Sequence, residues 1–166
     1  MADGESVRQI LIISGGQTGV DRAALDVALE LGLPVAGWCP RGRRAEDGPI
    51  AGHYPLVETP SSRWSQRTDW NVRDSDATLV LSPESPTRGT ALTIRRAVAH
   101  GKPHLVLDPE APDAVAHARR WLETIGPKRL NVAGPRESSR PGIHRIARTI
   151  LHEILSSGRA SEAAPR

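Results

Sequence analysis

The chain has 166 residues and a formal net charge of +3, with no apolar run long enough to span a bilayer, so it reads as one domain with a continuous core. Its single Cys39 cannot form an internal disulfide and its opening "MADGESVR" lacks the apolar stretch of a signal peptide, which together point to a reducing cytoplasm. Only Lys102 and Lys128 are lysines, the other basic residues being arginines suited to bidentate pairing with phosphate, while four Trp, one Tyr and no Phe are too few for a nucleic-acid stacking platform.

"ILII" (10–13) is an apolar run of strand length, followed by "SGGQTG" (14–19) and a helical repeat of Leu25, Ala28 and Leu29, widened by Ala24 and Leu31 and stopped by Gly32 and Pro34. Gly15, Gly16 and Gly19 thus fall between a buried strand and a helix start, where free backbone N–H groups and the positive dipole end suit an anion. Thr18 is the expected N-cap and Asp21 the first-turn partner of the dipole, whereas Gln17 has no such structural duty. "PVAGWC" (34–39) reads as a second strand.

Residues 40–76 exceed an ordinary crossover and predict a lid-like loop, with a short strand at 56–58 and a helix in "SQRTDWNVRDSD" (65–76). Arg41, Arg43 and Arg44 either close over a bound anion or form a solvated face. Asp69, Asp74 and Asp76, with Arg67 and Arg73, are expected to form an ion-pair network that anchors the loop. "ATLVLS" (77–82), "PHLVLD" (103–108) and "RLNVAG" (129–134) are the third to fifth strands. The helix over 90–100 carries Ala91, Ile94, Ala97 and Val98, and that over 113–125 carries Val115, Ala118, Trp121, Leu122 and Ile125. The last, over 143–155, repeats Ile143, Ile146, Ala147, Ile150, Leu151, Ile154 and Leu155 on one face. This alternation predicts a Rossmann-like, doubly wound α/β domain over 8–157, with a parallel sheet of about five strands and helices on both faces. Residues 1–7 and 158–166 lack apolar periodicity and are expected to be disordered tails.

Ligands of such a sheet bind at the carboxyl ends of its strands. Those ends here are "SGGQTG", "CPRGRR", "SPESPTRGT" and "AGPRESSRPG", rich in Gly, Ser, Thr and Arg, and their convergence predicts an anion pocket. Neither G-x-G-x-x-G nor G-x-x-x-x-G-K-[ST] is present, and the second strand ends in Trp38 and Cys39 instead of an acid for a ribose. Cys39 reads as a small buried residue, and His100 and His104, split by Gly101 and Pro103, lack metal-ligand spacing.

"GGQTGVDRAALDVA", "GWCPRGRRAEDG", "RTDWNVRDSDATLVL", "GTALT" and "LNVAGPRESSRPGI", five blocks in order over roughly residues 8 to 155, resemble the molybdenum cofactor carrier proteins. These are a branch of the superfamily that includes the Lonely Guy phosphoribohydrolases. The resemblance implies an oligomeric Rossmann-like subunit that binds, protects and carries molybdenum cofactor, with molybdoenzymes or cofactor-biosynthesis proteins as partners; the few aromatics and small net charge argue against nucleic acid, and the lack of a long apolar run against a membrane. The hydrolase relatives carry Gly-Gly-x-Gly-Thr-x-x-Glu. Here "TRGTALT" matches at Gly89 and Thr90 but sets Thr93 where the glutamate stands, and a hydroxyl cannot replace a carboxylate in acid/base work. Carriage is thus favoured over catalysis, the alternatives being a nucleoside-monophosphate phosphoribohydrolase-like enzyme or a nucleotide-sensing module. The cofactor has a phosphate monoester, a pterin and an oxo-anionic metal end. The expected site places Gly15, Gly16, Gln17, Thr18 and Gly19 on one anionic end, Ser82, Gly89, Thr90 and Thr93 beside it, and Gly134, Arg136 and Ser138 on the rim, with no catalytic residue or metal ligand.

Overall fold

The computed structural model describes residues 9–83 and 85–156; residues 8 and 157 of the predicted domain and both predicted tails lie outside them. In chain order the elements begin with β1 (Leu11–Ile13), α1 (Val20–Glu30), β2 (Val35–Ala36), β3 (Trp38–Cys39), β4 (Arg44–Ala45), β5 (Gly48–Pro49) and β6 (Val57–Glu58). They continue with α2 (Trp64–Arg73), β7 (Ala77–Leu81), α3 (Arg88–Ala99), β8 (His104–Leu107), α4 (Ala114–Ile125), β9 (Arg129–Ala133) and α5 (Ile143–Leu155). Five strands form a parallel sheet in the order β2-β1-β9-β7-β8, so the last strand enters between the first and the third of the sheet.

From β1 the chain moves one way to β2, and from β7 it moves the other way to β8. Right-handed crossovers then put α1 and α4 on one face and α2 and α3 on the other. The helix packing agrees: α5 lies against α1 and α4, and α2 against α3. The main core joins Ile12, Leu79, Leu81, Leu130 and Val132 of the sheet to Val20 and Val27 of α1 and to Ile143, Ala147 and Leu151 of α5. Among the described residues no helix is long and apolar enough to cross a membrane.

Several expectations are corrected. The second strand breaks at Gly37, where a Cβ would lie 2.0 Å from the Ser14 carbonyl oxygen. Beyond this close approach β3 leaves the sheet and pairs with β6. Leu29 and Val98, read as core-facing, are 41% and 64% exposed, because α1 buries Ala23, Ala24, Val27 and Ala28 beside Leu25, and α3 buries Thr90, Thr93 and Ala97 instead.

The segment after residue 40 is no loose lid, since Leu25 of α1 and Cys39, Ile50, Tyr54 and Leu56 form a second apolar core beneath it. Arg43 sits at φ 52 and its guanidinium donates to the carbonyls of Ile50, Ala51, Tyr54 and Leu56 at 2.8 to 3.1 Å. It is therefore a staple within the loop. The expected ion-pair network is only partly formed: Arg73 pairs with Asp74 at 2.8 Å, and Asp74 also accepts the Trp38 indole N–H at 2.7 Å. Asp76 instead accepts the amides of Lys128 and Arg129, and Asp69 turns to Arg96 of α3 at 3.6 Å and to His100, the residue that caps α3, at 2.9 Å. Arg67 leaves the network altogether.

Candidate functional site

Opposite windings around β1, β9 and β7 leave a crevice at the carboxyl ends of these strands. A cleft of about 470 Å³ opens there, closed on its far side by the first turn of α3 and by α2. Of the residues expected from sequence, it brings together Gly15, Gln17, Gly89, Thr90, Thr93, Gly134 and Arg136. Thr87 caps α3 from an extended backbone without a side-chain cap bond, so the first-turn amides keep no intrahelical acceptor. A Cβ at Gly89 would meet nothing within 4 Å, leaving the space over this turn open. The Thr87 and Thr90 hydroxyls lie 3.2 Å apart, and Thr93 donates to the Gly89 carbonyl at 3.1 Å.

The centre of the cleft is a residue that sequence reading assigned elsewhere. Arg67 of α2 donates from Nη1 to Asp21 of α1 at 2.9 Å, the side chains being only 12% and 8% exposed. A Cβ at Gly15 would lie 1.8 Å from the same Nη1, so this glycine is the floor on which the guanidinium rests. Arg67 Nε is buried and has no hydrogen-bond partner. Burial pushes the Asp21 carboxyl above its ordinary range, against the pull of Arg67. The signal was present in the sequence: Trp64, Arg67, Thr68 and Asn71, spaced i, i+3, i+4, i+7, are the α2 residues that line the cleft. They form a mostly polar helical stripe facing the cleft, whereas the stripes predicted for the other helices are apolar.

The remaining predicted residues lie elsewhere. Gly16, at φ 78, would set a Cβ 2.6 Å from Leu56 and 2.9 Å from Ile50, so its open side faces the second core. Gly19, at φ 81, lies against the Pro135 carbonyl, and it is the cap of α1 in place of Thr18. Ser82 is buried at the end of β7, where its amide donates to Leu107 at 2.9 Å. Thr18, Gly19 and Ser138 border a shallower depression on the other side of Gln17 and Arg136.

A carboxylate lies on the wall of that depression. Glu46, from the β4–β5 turn, accepts the Thr18 hydroxyl and the Ser138 amide (3.0 Å) on Oε1 and the Ser138 hydroxyl (2.5 Å) on Oε2, with Arg136 Nε 3.5 Å away. Burial opposes its charge, but these hydrogen bonds and Arg136 more than offset it and hold the carboxyl below its ordinary value. Gln17 Oε1 accepts the amides of Thr18 and Glu46 at 3.0 Å each, a structural duty sequence reading did not find.

Residues 12–155 match the circularly permutated YpsA SLOG family. The chain belongs to this family. One solved structure of high similarity is the "Putative molybdenum carrier protein" from Syntrophus aciditrophicus SB, at 42% identity and a TM-score of 0.85, with 89% of this chain and 95% of that one covered. No curated protein matches the chain. The family assignment bears out the resemblance carried by the five sequence blocks, and the Rossmann-like α/β fold agrees with that neighbour. In this SLOG chain the cleft presents Arg67, Arg88 and Arg136, hydroxyls from Thr87, Thr90, Thr93 and Ser139, and amides from Gln17, Asn71 and Asn131. Asp21 is the one carboxylate among the lining residues, and it is spoken for by Arg67.

Proposed function

We propose that this cleft binds molybdenum cofactor as cargo, so that the protein shelters and carries it. The observation that carries the reading is Arg67: a buried guanidinium, fixed by Asp21 over Gly15, with one N–H still unpartnered beside the first turn of α3. A fixed guanidinium next to free amides and threonine hydroxyls suits a phosphate monoester, and the side-chain N–H groups that Gln17, Asn71 and Asn131 keep beyond their own bonds suit the acceptors of a pterin edge. The volume lies within the range of small-molecule sites, roughly 300 to 1,000 Å³. A neighbour named as a molybdenum carrier at 42% identity supports this ligand over others.

The test is an anaerobic titration of complete cofactor, free molybdopterin and AMP against wild type and Arg67→Lys, with mass spectrometry of whatever co-purifies from the native source. Saturable binding of the cofactor, weakened at least about tenfold by the loss of the planar fork, is the expected result. Equal affinity of a folded Arg67→Lys would remove the cleft from the reading. Asp21 gives the hydrolase alternative its one supporting observation, as a buried carboxylate on the cleft wall.

A further inference from the structure

We infer that Glu46 occupies a second oxyanion subsite, built for a phosphate-like group that takes over the same donors when the β4–β5 turn swings out. Three hydrogen-bond donors and one cation from two separate segments converge on two oxygens: the Thr18 hydroxyl, the Ser138 amide and hydroxyl, and Arg136, whose Nε donates to Ser139 Oγ at 3.2 Å and lies 3.5 Å from Glu46 as an ion pair. A carboxylate is the in-chain analogue of such a ligand, since hydroxyls, an amide and a guanidinium are the set that recognises any small oxyanion. Its carrier is a turn of two-residue strands, β4 and β5, with Glu46 and Asp47 at its tip. The other acids at this depression do not compete for the donors. Asp47 is paired with Arg22 at 2.5 Å, and Glu137 is turned to the amides of Gly142 (2.6 Å) and His144 (3.0 Å) at the start of α5.

The subsite adjoins the cleft at Gln17 and Arg136, so it would accept the second anionic end of a ligand whose first end lies under Arg67; this last step rests on the cleft reading above. Occupancy by Glu46 then makes the chain its own weak competitor, released only by a group that binds these three donors and Arg136 better.

The experiment titrates inorganic phosphate into the isotope-labelled full chain and follows backbone amides in wild type, Glu46→Gln and Glu46→Ala. Phosphate should shift the Ser138 amide saturably at a concentration at least about tenfold lower in Glu46→Ala than in wild type, with Glu46→Gln between them, and the added Ser138→Ala should cancel the gain. Should the turn rearrange in Glu46→Ala, Glu46→Gln decides, because it keeps the length and one acceptor. A folded Glu46→Gln and Glu46→Ala with no tighter response at Ser138 than wild type overturn the inference. The Gly89 and Thr90 amides report the cleft separately: a response there without one at Ser138 overturns the second subsite alone, and the reverse supports the subsite while sinking the cleft reading.

Discussion

Replacing Arg67 with methionine keeps most of the aliphatic stem and removes the guanidinium, which leaves Asp21 with the Gln17 amide, at 3.4 Å, as its remaining hydrogen-bond donor. Breaking a buried pair from one side costs about 3 to 5 kcal/mol, because the surviving charge stays desolvated. The carboxyl can escape by taking a proton, and that escape sets a ceiling. From its ordinary value of 3.8, protonation at about pH 7.5 costs about 5 kcal/mol, and at about pH 5 about 1.6 kcal/mol. Burial raises the folded pKa of Asp21 above its unfolded one, so the folded state holds the proton more tightly and stability is lost as pH rises between the two. Without Arg67 the folded value climbs further, and the deficit against wild type should widen with pH. Urea unfolding followed by circular dichroism should therefore show a deficit of about 3 to 5 kcal/mol at about pH 7.5 that shrinks to below about 2 kcal/mol at about pH 5. The double variant Asp21→Asn/Arg67→Met should lose that pH dependence. A deficit under about 1 kcal/mol at the higher pH, or one equal at both, would refute the account of the cleft centre.

Arg136 is 53% exposed, so Arg136→Ala should weaken cofactor binding by less than about 1 kcal/mol and the loss should fade in salt; a larger, salt-insensitive loss in anaerobic titrations would place it inside the desolvated site. Gly16→Ala should cost at least about 1 to 2 kcal/mol and make residues 40–63 more sensitive to limited proteolysis, since it combines a left-handed backbone with overlap of Leu56 and Ile50, and a native-like urea midpoint would contradict this. Incubation with AMP and other nucleoside monophosphates should release no base above background; turnover near about 1 per second would require a working carboxylate, with Asp21 the first to replace.

Strands and long helices were legible because each writes its burial into a regular period. The all-buried β7 and the i, i+3, i+4 stripe of α5 follow directly from the residues. The topology was legible only as a class. That β9 enters between β1 and β7 depends on crossover handedness and on which strand ends are left to be covered, and no local pattern records that. Within the site, the "SGGQTG" turn was found by its glycines, but the glycines do different work: Gly15 carries Arg67, Gly16 carries the second core and Gly19 carries the backbone after β9. Composition marks where side chains must be absent and not what fills the space. The role of Arg67 was not legible because the acids at 69, 74 and 76 offer nearer partners in sequence than Asp21, which lies 46 positions away.

Gln17 shows how these parts are joined. Its amide N–H points to the Asp21 carboxylate, on the side of the cleft, while its side-chain oxygen takes the amides of Thr18 and Glu46, on the side of the depression. Arg136 makes the same bridge from the other strand end, lining the cleft and lying 3.5 Å from Glu46. Because the interior is close-packed and the Gln17 amide N–H, the Gln17 side-chain oxygen and Arg136 Nε already have partners, a group entering one side cannot draw on these atoms without loosening their hold on the other. The tip of the β4–β5 turn is also held by Asp47 on Arg22 and by the Glu46 amide on Gln17 Oε1, so releasing Glu46 breaks these bonds too, while Arg43, bonded only to loop carbonyls, keeps the second core in place. The charge arrangement thus separates a rigid holding element, Arg67 on Gly15, from a movable one, Glu46 on its hairpin.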